Sequence, residues 1–237
     1  MCIRDRNKTV IWIWVCLLSV GLTCGKEFWE KPYKTWKYDN VEKMLSESPW
    51  SGIVTYTSQR QGRNTRNVGG EMELYNQYTV RFFTALPVRQ GYVRMFQIMN
   101  KYDEMSKEDQ KAFDQKFAPA LRDFKDEVII NMDFASNDPN ARMEVDRRLK
   151  QIKAEQLKQS VFLITDQFGR IELKAYYPPS PDGTGAKFVF PRKIDGKEIM
   201  SPNDKEVKFE LWVPGTGQKV FHVWKVKDMK LDGKLYY

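Results

Sequence analysis

Residues 78–99 read YTVRFFTALPVRQGYVRMFQIM. Tyr78 to Ala85 is rich in β-branched and aromatic residues and reads as a strand. Pro87 suits the first turn of a helix. Val88, Tyr92, Met95, Phe96 and Met99 then recur at i, i+4, i+7, i+8 and i+11, an amphipathic helical stripe. On that spacing Phe96 faces the core and Arg94 lies off the apolar stripe. A strand that runs straight into a helix makes this a chain of mixed elements around one core.

Working back from this segment, Ser51–Tyr56 and Glu71–Tyr75 read as strands. Between them residues 57–70 form a polar loop with Arg60, Arg63 and Arg66 at intervals of three. A short helix over Asn40–Ser46 is expected, capped by Asp39 with Glu42 completing the box and ended by Ser48-Pro49-Trp50. Residues 28–38 form an aromatic and basic lead-in.

Working forward, Ser106 and Asp109 suggest a cap for a helix with Phe113, Phe117 and Leu121 on one face, kinked or broken by Pro119. Val128, Ile130, Met132 and Phe134 alternate as a buried strand face. A charged helix is expected from Ser136 to about Gln159, with Val145, Leu149 and Ile152 as its stripe. Beyond residue 160 the texture changes to strands: Val161–Thr165 in a hairpin with Arg170–Tyr176, then Lys187–Pro191, Glu206–Val213, Lys219–Lys227 and Lys234–Tyr237. The fold class expected is α+β. An N-terminal mixed helix/strand part packs with a β-rich, mainly antiparallel C-terminal part, all within one domain over residues 26–237.

The first 25 residues are set apart. Residues 1–6, MCIRDR, back-translate onto a transposon end used in preparing sequencing libraries and are read as a scar. Residues 7–25 contain the uncharged run Val10–Leu22 after Lys8, short of the ~20 residues that span a bilayer. They read as a signal peptide, with a mature start near Lys26. The alternatives are an uncleaved anchor, or cleavage before Cys24 with lipid attached there. Export would place the protein in the periplasm or outside the cell, anchored to the membrane if the run is not cut or if Cys24 carries lipid.

Composition narrows the function classes. The 237 residues are 41% hydrophobic, 14% aromatic and 30% charged, which excludes a disordered chain, a collagen and a polytopic membrane protein. The three cysteines, Cys2, Cys16 and Cys24, all lie in the leader, so no internal disulfide or zinc ribbon is expected. His222 is the one histidine, which excludes a multi-histidine metal site. No cofactor and no metal are expected. Residues 26–237 carry 36 basic and 30 acidic side chains, without a dominant block. That mild excess suits anionic envelope surfaces or glycans; no nucleic-acid motif accompanies it.

Three stretches belong together: Trp36 with Ser48-Pro49-Trp50, the segment Arg81–Gln90 with its Ala-Leu-Pro-Val-Arg, and Met229–Leu235. They resemble an exported family of environmental, acidobacterial-type bacteria. The resemblance implies export and no known activity, so it carries over no catalytic residue.

The strand-to-helix junction is the best site candidate. Arg81, Arg89 and Arg94 could fork onto a carboxylate or phosphate near a helix N-terminus; the structural reading pairs them with nearby acids. Glu71 and Glu73 share a strand face at a glycosidase-like spacing of ~7 Å, though a solvated hairpin face explains them far better. Asp133 interrupts an apolar strand as either a buried acid or a satisfied turn residue. His222 is a packed residue or a general base without a nucleophile. Trp29, Tyr33, Trp36 and Trp50 stack sugars or pack the lead-in. The function expected is a non-catalytic binding or assembly module of the envelope, with an envelope protein or a glycan as partner. The alternative is an exported carboxylate-based hydrolase acting on glycans.

Overall fold

The computed structural model describes residues 27–60, 72–181 and 183–237. The leader with Cys24, the loop arginines Arg63 and Arg66, and Glu71 lie outside the described residues.

Two antiparallel sheets and a helical layer form the fold. The first sheet has the order β1–β2–β3–β7–β6, from β1 (Ser51–Arg60), β2 (Met72–Phe82), β3 (Glu127–Ser136), β7 (Ala186–Pro191) and β6 (Ala175–Tyr177). The second has the order β11–β10–β4–β5, from β11 (Lys219–Lys225), β10 (Glu206–Trp212), β4 (Val161–Thr165) and β5 (Gly169–Glu172). Two small hairpins complete the strands: β8 (Lys193–Ile194) with β9 (Lys197–Glu198), and β12 (Lys230–Leu231) with β13 (Lys234–Leu235). Every pairing is antiparallel. The fold is therefore α+β, with a β-rich C-terminal region.

Period-two alternation sets the packing. In the first sheet Val80 pairs with Met132, and Ile130 lies between Phe82 and Phe188, all on one face. These side chains are fully or almost fully buried. That face meets the second sheet, where Phe209 lies 5.4 Å from Phe188 and Trp224 lies 4.6 Å from Phe82, centroid to centroid. The result is a sandwich core built from the alternate residues of both sheets.

The other face of the first sheet carries Arg81, Ile129 and Asn131 and is covered by α1 (Tyr38–Ser46) and α2 (Leu86–Met99). Trp36 and Trp50 are buried, and Phe28 and Trp29 make edge contacts to them, so the lead-in packs onto this layer. Helix α3 (Lys107–Phe117) is capped by Ser106, whose hydroxyl accepts from the Asp109 N–H at 3.1 Å. It gives way at Ala118–Leu121 to a 3-10 turn where Pro119 stands.

Several expected elements differ. Met72–Tyr75 and Tyr78–Phe82 are parts of one strand, β2, because it keeps pairing with β1 from Met72 to Arg81, while Phe83–Ala85 turn the chain into α2. The N-cap of α1 is Lys37 and not Asp39, and the Asn40 side chain inside the first turn accepts from the Lys37 N–H at 3.1 Å. The long charged helix is shorter: α4 (Pro139–Gln151) stops, and one turn, α5 (Ala154–Leu157), follows. The strand expected over 170–176 changes sheets. Ile171 pairs with Leu163 in the second sheet, whereas Tyr176 pairs with Phe188 in the first. One hydrophobic run thus ties both sheets together.

Candidate functional site

The arginines of the strand-to-helix junction are buried and engaged. Arg81 donates from Nε to the Leu45 carbonyl and from Nη1 to the Asp133 carboxylate, and reaches the Tyr92 hydroxyl at 3.2 Å. Arg94 donates to the Trp36 carbonyl at 2.8 Å and grips Asp103 through both terminal nitrogens at 3.1 and 2.7 Å. That grip holds the Asp103 carboxyl below its ordinary pKa. Arg89 donates to the carbonyls of Ala120 at 2.9 Å and Arg122 at 2.6 Å. Burial pulls the Arg89 guanidinium below its usual pKa, with Asp123 opposing. The three sets of partners are separate, so the fold does not assemble these arginines into one site. Arg94, expected off the buried face, is 5% exposed and lies inside it.

Arg89 nevertheless lines an open cleft of about 280 Å³. The Asp-Gly hairpins contribute its flanks. Their turns, Asp195-Gly196 and Asp232-Gly233, all have positive φ, from 50° to 76°. Type I′ geometry requires that, which is why Asp-Gly is used twice. The β8–β9 hairpin brings Lys193 and Glu198 to the cleft, and the β12–β13 hairpin brings Lys234 and Leu235. Arg192 and Lys125 add further cations, and Phe124 and Tyr237 add ring surface.

The charges do not cancel. Glu198 serves Arg192 at 3.2 Å and Lys193 at 3.4 Å, and accepts from the Tyr237 hydroxyl at 2.7 Å. Asp123 lies 3.9 Å from both Arg89 and Lys234. Five cationic side chains therefore face two carboxylate side chains among the described lining residues, with Arg192 also donating to the Tyr237 main-chain oxygen at 2.9 Å. Arg192 also lies 4.0 Å over the Tyr237 ring, which fixes its guanidinium. Burial and the bond to Glu198 push the Tyr237 phenol up, so it stays a neutral donor at physiological pH. Such a cleft can hold an anion by charge and by N–H donors.

The other candidates lie elsewhere. Asp133 is partly exposed and bound by Arg81. It shares a groove of about 370 Å³ with Asp146, which pairs with Lys150 at 2.8 Å. Both carboxylates are thus paired with cations. Glu73 is exposed on β2. His222 points into the sandwich, 4.6 Å from Trp224, and burial lowers its pKa. Trp36 and Trp50 are buried and offer no stacking face. Among the described residues no cluster of His, Cys, Asp or Glu is arranged to hold a metal ion, and no helix is long and apolar enough to cross a membrane.

Sequence reasoning missed Arg192, Lys193 and Lys234. Their signal was present: residues 193–197 read KIDGK and residues 230–234 read KLDGK, two near-identical hairpin motifs. Compared with protein-family models, curated proteins and solved structures, the chain matches none.

Proposed function

We propose that the protein is an exported, non-catalytic binding module of the bacterial envelope that holds an anionic group in the cleft between its two Asp-Gly hairpins. The observation that carries this reading is the excess of cations there, five against two carboxylate side chains. A positive cleft raises the local concentration of anions and orients them, without needing a reacting group. Acidic glycans and acidic surfaces of envelope proteins supply such groups. Export rests on the apolar run Val10–Leu22 behind Lys8.

The test is a titration of the protein over residues 26–237 with phosphate and with acetate, followed by NMR shifts. Both anions should shift cleft resonances saturably, and added neutral salt should weaken the effect. Lys193→Glu with Lys234→Glu should abolish it, since both lysines are exposed and the fold does not need them. Absence of any saturable shift in the parent protein refutes the reading. In cells, Leu17→Arg with Leu18→Arg should hold the protein in the cytoplasm; unchanged export refutes that part.

A further inference from the structure

A second hollow adjoins the basic cleft. Its volume is about 140 Å³, and its accessible lining is apolar. Phe83, Tyr92, Phe96, Phe117 and Phe124 surround it. The walls are held by ring contacts: Phe96 stacks on Phe117 at 5.5 Å, and Phe83 lies 5.7 Å from Tyr92. An apolar cavity of about 150 Å³ accommodates a benzene ring and has no polar partner to offer water.

Arg89 and Phe124 line both the hollow and the basic cleft. The guanidinium of Arg89 is held by three carbonyls, those of Thr84, Ala120 and Arg122, and lies 5.3 Å over the Phe124 ring. It borders both the ring-sized apolar space and the net positive cleft. The two spaces differ in chemistry and share a wall, so one ligand with both characters can use both.

We propose that the ligand is an aromatic anion, with its ring in the phenylalanine-lined hollow and its charged group in the cleft beside Arg89. The proposal rests on the anion-binding reading above and names the ligand class. The ring adds apolar burial, and the anion sets orientation through the hairpin lysines and Arg192.

The experiment is a calorimetric series on the protein over residues 26–237. Its probes are ω-phenylalkanoates with one to five methylenes, alongside acetate and the matching phenylalkanols. At least one phenylalkanoate should bind roughly tenfold or more tighter than acetate, as burial of a ring predicts. Its alcohol should bind more weakly than the acid. Ala120→Trp places a ring into the hollow from an exposed position, and a thermal melt checks that it folds. This variant should lose the tenfold gain.

If acetate binds and no phenylalkanoate binds tighter, the aromatic proposal fails while the anion reading stands. If neither acetate nor any phenylalkanoate binds, both fail. An alcohol as tight as its acid overturns the role of the charge, and a gain retained in folded Ala120→Trp overturns the placement of the ring.

Discussion

Gly52 and His222 show how one residue fixes another. Gly52 lies on β1 opposite Val80, and His222 on β11 opposite Phe209, both on the inner faces of the sandwich. A Cβ on Gly52 would sit 2.0 Å from His222 Cε1 and 2.2 Å from Nε2. The imidazole therefore fills the space that a side chain at position 52 would need. It packs between a glycine and Trp224. Gly52→Ala should destabilise the protein by about 1–3 kcal/mol through overpacking. In a His222→Ala background the same substitution should cost almost nothing. A denaturant double-mutant cycle measures this, and additive effects would show that the two sites do not meet.

Helix α2 carries the clearest departure from pattern reasoning. Its stripe predicted Phe96 and Met99 inward and Arg94 outward. Phe96 is only partly buried, Met99 is 70% exposed, and Arg94 is buried. The helix is covered on more than one side. Gly91 lets it approach α1, where an added Cβ would stand 3.1 Å from Met44 and Leu45 side-chain atoms. The side bearing Arg94 meets the Trp36 carbonyl and Asp103, so its polar group is satisfied inside. Arg94→Ala should thus cost about 2–3 kcal/mol, mostly from the lost charge-assisted bond to the buried Trp36 carbonyl, since the pair with the exposed Asp103 is screened by solvent. Phe96→Ala should cost about 1–2 kcal/mol, less than a fully buried ring. Equilibrium unfolding of the two variants decides the order; the reverse order would restore the simple stripe.

The whole molecule has pH limits set by groups buried in its layers. Burial raises the Tyr78 phenol from 10.0 to about 12, beneath its bond to Gln218 at 2.6 Å. Above pH 10 the unfolded chain loses that proton first, so stability falls as pH rises from 10 toward 12. Below pH 10 the contribution is fully present. At the acid end His222 has a lowered pKa, so the unfolded chain takes its proton first as pH falls below 6.5. Stability declines there too, joined at lower pH by Asp103, which Arg94 holds ionised. Denaturant melts at pH 5.5, 8 and 11 should be highest at pH 8. Tyr78→Phe should flatten the alkaline fall, and an alkaline limb unchanged by that substitution would remove Tyr78 as its cause.

Local order was legible in the chain from residue spacing alone. The strand-to-helix step at Pro87, the Ser106 cap, the break at Pro119 and the alternation Val128–Ile130–Met132 all follow from backbone sterics and period, which depend on near neighbours. The α+β class follows from those elements together. What surrounds an element was not legible. Trp36 meets Arg94 from 58 positions away, and Tyr78 meets Gln218 from 140. Arginine hides this because its long stem can be buried as easily as exposed, depending on which carbonyls arrive. The sheet change between β5 and β6 needed two distant partners, β4 and β7, to become visible. The cleft was hidden for the same reason. Its two hairpins can each be read from Asp-Gly, but their meeting with Arg89 and Phe124 is a product of long-range packing, which no local period encodes.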